Sequence, residues 1–170
     1  MHPYLRKGKW LMLQIVTDSS CDLPEELIKK HNIRVVPLMV SIGDKNYREG
    51  IDITPREFYE KMARSDKLPK TSQPAPGAFA EVYQELARLG QVFCLTISSK
   101  LSGTYRSACL GRDMSGAEAV VFDTLAGSLG HGLQVLKACE LARQGCNACQ
   151  VEAELCKYRK RMKILILLNT

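Results

Sequence analysis

QVFCLTISSKLSGTYRSACLGRDM, residues 91–114, decides the fold. Gln91–Ile97 is a near-continuous apolar run, the pattern of a strand buried on both faces of a parallel sheet. Ser102 onward reads as a helix. Between the two, Ser98, Ser99, Ser102, Gly103 and Thr104 put five small polar residues into seven positions, more hydroxyl and glycine than a turn requires. Such groups hold a phosphate, a carboxylate or a reacting carbonyl, or else only the amides of the helix that follows.

The same alternation runs outward from this stretch. On the N-terminal side, LQIVTD (13–18) predicts a strand and LPEELIKKHNI a helix. RVVPLMVSI (34–42) predicts a second strand, edge or bulged at Pro37, and GDKNYREGIDI a turn or short hairpin. TPREFYEKMAR has the marks of a helix start: Thr54 as N-cap, Pro55 at the first position and Glu57 closing a capping box. SDKLPKTSQPAPG reads as a Pro- and Ser-rich loop, followed by the helix AFAEVYQELARL, stopped by Gly90. On the C-terminal side come a strand at 117–124, helices LAGSLGHGLQVLKACELARQG and CQVEAELCKYRKRM, and a closing strand KILILL (163–168). Strands alternating with helices over short links predict an α/β fold, a mostly parallel sheet flanked by helices.

The 170 residues suit one domain, with 45% hydrophobic, 25% charged and 6% aromatic residues. No apolar run reaches the roughly 18–20 residues that span a bilayer. MHPYLRKGKWLMLQIV starts like a signal peptide but runs into TDSSCD without a small-residue cleavage site, so residues 1–11 read as an N-terminal extension and the expected location is the cytoplasm. The net charge of +6 sits at the ends. Taking Arg6, Lys7, Lys9, Lys157, Arg159, Lys160, Arg161 and Lys163 from the 24 basic residues leaves 16 against 18 acidic ones. There is no basic face interleaved with aromatics, so nucleic acid is not an expected partner, and KYRKRMK (157–163) reads as the solvated side of a terminal helix. Of the seven cysteines, Cys139, Cys146, Cys149 and Cys156 are spaced 7, 3 and 7, but a second close pair is missing. They read as small buried thiols, and zinc is not expected.

Three polar loops follow predicted strands: TDSSCDLP, ISSKLSGTY and FDTLAGS. In open parallel sheets ligands bind outside the carboxyl ends of the strands, where such loops gather. Ser102 is placed to cap the helix after it, and Gly103 lets a ligand approach the backbone. Acyl transfer lacks its parts, because His2 lies in the extension, His31 ends a surface helix, His131 lies inside SLGHGL, and no G-x-S-x-G elbow occurs. Neither Walker A nor G-x-G-x-x-G is present. A carboxylate held by hydroxyls and amides remains, with an enzyme or sensor of a small phosphate or carboxylate metabolite as the alternative.

Six motifs then carry a resemblance: IVTDSSCDLP (15–24), PLMVSIGDKNYREGIDIT (37–54), EFYEKM (57–62), KTSQPAPGAF (70–79), ISSKLSGTYRSA (97–108) and DTLAGSLGHGLQVLKA (123–138). In this order and spacing they resemble the DegV family of bacterial fatty-acid-binding proteins. The resemblance covers nearly everything from Met12 onward and implies a DegV N-terminal α/β domain over 12–170, with the second domain missing or truncated. It implies a non-catalytic lipid carrier without cofactor. One long-chain fatty acid would lie in an apolar tunnel, and its carboxyl group would be presented to the catalytic subunit of a bacterial fatty-acid kinase. No stable membrane insertion is expected. The family's carboxylate-binding residues fall on Thr71 and Ser102. The supporting polar residues are Ser72 beside Thr71, Ser98, Gly103 and Thr104 beside Ser102, and Asp18 and Ser19 after the first strand.

Overall fold

The computed structural model describes residues 5–6, 9–10, 13–65 and 67–165. A short antiparallel pair, β1 (Leu5–Arg6) and β2 (Lys9–Trp10), precedes the main body. Four parallel strands form its centre: β3 (Gln14–Asp18), β4 (Arg34–Val36), β8 (Val92–Thr96) and β9 (Ala119–Asp123), in the order β4-β3-β8-β9. A second, antiparallel sheet has the order β6-β5-β7, from β5 (Met39–Ile42), β6 (Lys45–Arg48) and β7 (Lys70–Ser72). The helices are α1 (Glu25–Lys30), α2 (Pro55–Ala63), α3 (Pro76–Ala87), α4 (Thr104–Ser115), α5 (Ser128–Arg143) and α6 (Ala148–Arg161).

β8 explains the layering. All five of its residues are buried, and alternate side chains enter opposite cores. Phe93 and Leu95 join Ile15, Phe122 and the α5–α6 residues Val135, Ala138, Val151 and Leu155. Val92 and Cys94 join Val16, Val36 and the α3–α4 residues Phe79, Tyr83 and Ala108. The parallel sheet is therefore covered on both faces, which is why its central strand carries no polar alternation. α3 and α4 approach closely at Gly111, where a Cβ would stand 2.6 Å from Phe79 Cβ and 2.7 Å from the Pro76 carbonyl oxygen.

Local signals hold where they are strong. Thr54 caps α2, with both halves of the capping box made by Glu57 and Pro55 in the first turn. The expected strand 34–42 splits instead of bulging. β4 stays in the parallel sheet, Pro37 has no N–H to extend the ladder, and β5 begins the second sheet. The expected loop at 65–77 contains β7, made by backbone pairing with β5 although all three residues are exposed. Residues 163–165 form no strand, and Leu165 is 96% exposed; the rest of that expected strand, like most of the expected extension 1–11, lies outside the described residues. Among the described residues no helix is long and apolar enough to cross a membrane, and no group of three His, Cys, Asp or Glu residues could hold a metal ion.

Candidate functional site

The parallel strands deliver Asp18, Thr96 and Asp123 to one edge of the sheet, and the three polar loops meet there. Asp18 is fully buried and its carboxylate is consumed by the frame. Oδ1 accepts from the Ser20 N–H (3.1 Å) and Oγ (2.5 Å), and Oδ2 accepts from the Ile97 N–H (2.8 Å). Ser19 is consumed as well: its Oγ donates to Glu49 (2.6 Å) and accepts from the Leu38 N–H (2.9 Å), which holds the corner after Pro37. Both were expected to support a ligand. In the fold their side chains brace the loops themselves.

His131, from the first turn of α5, closes the same network from below. Its Nε2 lies 2.9 Å from Thr17 Oγ1 and its Nδ1 3.4 Å from Ser20 Oγ. Burial pushes the imidazole below its ordinary pKa, with the Asp18 carboxylate acting in the opposite direction. The trio of Ser20, His131 and Asp18 is not a nucleophilic triad. The carboxylate binds the serine directly instead of orienting the histidine, and the histidine is fully enclosed.

In the loop after β8, Ser98 is buried and serves local backbone. Its Oγ accepts from the Lys100 N–H (3.2 Å), its N–H donates to Ala126 O (2.8 Å), and its carbonyl accepts from the Leu101 and Ser102 N–H groups. The N-cap of α4 is Gly103, not Ser102. Ser102 stands one residue earlier, half-buried; its Oγ accepts from the Thr104 N–H (3.3 Å) and shares a hydrogen bond with Thr104 Oγ1 (2.9 Å). Thr104 itself is buried. Thr71 and Ser72 are exposed on β7, with Thr71 paired opposite Val40. β7 then runs directly onto the start of α4. The Gln73 side chain lies against Gly103, and Ser107 Oγ donates to Pro74 O (2.5 Å). Thr71 and Ser102 are thus brought to neighbouring segments, the first exposed and the second half-buried, whereas Asp18 and Ser98 are buried.

Beside this polar patch lies an apolar one that the sequence reading missed. Leu101, Leu125, Leu129 and Leu133 are 66%, 43%, 71% and 50% exposed. Their spacing of four from 125 to 133 was visible in the sequence, but a helix with apolar residues on several faces does not announce which face is bare. Leu101 and Ile97 lie against Gly127, and Ile164 packs on Gly130. A cavity of about 460 Å³ opens at its end between Leu125, Gln134, Arg159 and Ile164. Arg159 departs from the solvated face expected for the basic run: its guanidinium donates to the Asp123 carbonyl and lies 5.0 Å from the Phe122 ring centroid. The loop between β9 and α5 is strained, with Leu125 and Ser128 at φ 50° and 49°, and is held by Thr124 Oγ1 donating to Thr96 O (2.7 Å).

The DegV family, described as an uncharacterised protein family, matches residues 12–170. The chain belongs to the DegV family. A DegV domain-containing protein of Clostridium perfringens is 37% identical over 91% of this chain and 56% of its own length. A fatty-acid-binding DegV family protein from Thermus thermophilus superposes with a TM-score of 0.81 at 42% identity, over 88% of this chain and 54% of that one. A stearic-acid-binding protein from Eubacterium ventriosum superposes with a TM-score of 0.79 at 34% identity, over 85% and 52%. This DegV chain therefore spans about half the length of the relatives it matches. Its parallel four-strand sheet flanked by helices is the α/β fold of the solved DegV proteins.

Proposed function

We propose that this chain binds a long-chain fatty acid without transforming it. The carboxylate is held by the Thr71 and Ser102 hydroxyls and by backbone amides at the start of α4. The acyl chain follows the bare leucines. The observation that carries this is the adjacency of the two patches: Ser102, with a half-buried hydroxyl, is followed along the surface by Leu101 and the exposed leucines of α5. Contiguous exposed apolar surface on a folded domain marks a ligand or partner. A chain of about sixteen carbons gains about 0.8 kcal/mol per buried CH₂, on the order of 10 kcal/mol before the costs of association. The polar contacts supply less affinity than this. They spare the carboxylate an unpaired burial and fix the position of its reactive end.

The exposure of Thr71 and half-exposure of Ser102 leave a carboxyl group held there within reach of a second protein, which supports presentation to a separate kinase subunit. The fatty-acid-binding relatives and the family's motifs support the ligand class. Organic extraction of protein purified without added lipid, followed by mass spectrometry, tests it. Fatty acids of about 14 to 18 carbons are expected, since shorter chains give up about 0.8 kcal/mol per CH₂. A polar phosphate or carboxylate metabolite in their place refutes the reading.

A further inference from the structure

Thr71 and Ser102 belong to different sheets. Thr71 lies on β7 of the antiparallel sheet, and Ser102 follows β8 of the parallel one. Two hydroxyls address one carboxylate only if the relation between those sheets is fixed at this spot. One contact that fixes it is buried, the 2.5 Å hydrogen bond from Ser107 Oγ to Pro74 O. Another lies at the site. A Cβ built on Gly103 would stand 2.8 Å from both Nε2 and Oε1 of Gln73 and 2.9 Å from Cδ, so the carboxamide rests on the glycine Cα. Gly103 has φ −71° and ψ 1°, which ordinary residues adopt, so its backbone does not require glycine. What requires it is the room taken by Gln73.

We propose that Gln73 is a positioning residue of the carboxylate site: its amide, seated on Gly103, sets β7 against the start of α4 so that the Thr71 and Ser102 hydroxyls converge. This rests on the fatty-acid reading above. Gln73 acts through the two segments it joins. It is exposed, and no hydrogen bond to its amide occurs among the described residues, so removing the amide leaves the core intact.

The test compares stearate with stearyl alcohol, which has the same chain and a neutral head, in the full chain. Gln73→Ala removes the amide. Gly103→Ala pushes it aside at little risk to folding, because the crowded atoms are the far end of a flexible side chain. Each variant is expected to weaken stearate binding about tenfold, roughly one lost hydrogen bond to a charged group, and alcohol binding less than about twofold. The double variant is expected to lose no more than the worse single one, because both break the same contact. Thr71→Ala and Ser102→Ala run alongside. Stearate-selective losses in those two with none in Gln73→Ala and Gly103→Ala overturn this inference and leave the carboxylate site standing. Equal losses for both ligands, or additive losses in the double variant, overturn it as well. Unchanged stearate binding in Thr71→Ala and Ser102→Ala overturns the carboxylate site itself.

Discussion

Replacing Asp18 separates a carboxylate that serves the frame from one that serves a ligand. In the folded chain it is fully buried and accepts from the Ser20 N–H at 3.1 Å, Ser20 Oγ at 2.5 Å and the Ile97 N–H at 2.8 Å. The last bond joins residues 79 apart and ties the loop carrying Ser102 to the end of β3. Hydrogen bonds to a charged group are worth about 1.5–3 kcal/mol each, and a buried donor left unpaired costs about 1–3 kcal/mol. Ser20 and Ile97 are only half-buried, so water recovers part of this. Asp18→Ala is therefore expected to lose about 3–5 kcal/mol, less than the three bonds counted separately. Asp18→Asn keeps one acceptor but turns an N–H group toward one of the donors, and is expected to lose about 1–3 kcal/mol. At about 2–4 °C per kcal/mol for a domain of this size, Asp18→Ala melts on the order of 10 °C earlier. Urea unfolding and thermal denaturation without ligand measure the loss. An Asp18→Ala protein with an unchanged midpoint but abolished fatty-acid binding would refute the bracing role.

Ser102→Ala is expected to weaken fatty-acid binding about ten- to a hundredfold, while the loss of its contact with the Thr104 N–H costs no more than about 1 kcal/mol of stability. A variant that melts earlier yet keeps its full lipid complement shows that the hydroxyl serves only the helix. His131 supplies a pH dependence. Its folded-state pKa lies below its unfolded value near 6.5, so the unfolded chain binds the extra proton first; its contribution is complete above about pH 6.5 and is lost as pH falls, by at most about 1.4 kcal/mol per unit. Urea midpoints at pH 7.5 and 5.5 are expected to differ more in the native protein than in His131→Gln, and equal differences refute the assignment. Asp18 and Asp22, which face the imidazole, limit the size of the effect.

The neighbourhood of the candidate site was legible in the sequence, and the reasons differ by residue. Alternation of strands and helices places every loop after a parallel strand on one edge, so Asp18, Ser98 and Ser102 could be assigned to one neighbourhood from pattern alone. The family motifs singled out Thr71 and Ser102 among many hydroxyls. Which polar groups are already satisfied could not be read. Asp18 and Ser19 have the same composition signature as Ser102, but their partners Ile97, Leu38 and Glu49 lie on other segments.

By itself the sequence determined whatever depends on a few neighbouring residues. The near-continuous apolar run of β8 reads as a buried strand, and Thr54, Pro55 and Glu57 read as a helix start. Both follow from short-range sterics, capping and side-chain period. The tertiary structure decided the rest. It took the chain at Pro37 into a second sheet, and it made a strand of exposed Lys70–Ser72 because β5 offered a free edge. It also laid Gln73 over Gly103 and left the α5 leucines bare. Those outcomes rest on contacts between residues some thirty apart, whose geometry is set by how two sheets pack against their helices. No local pattern of side chains encodes that distance.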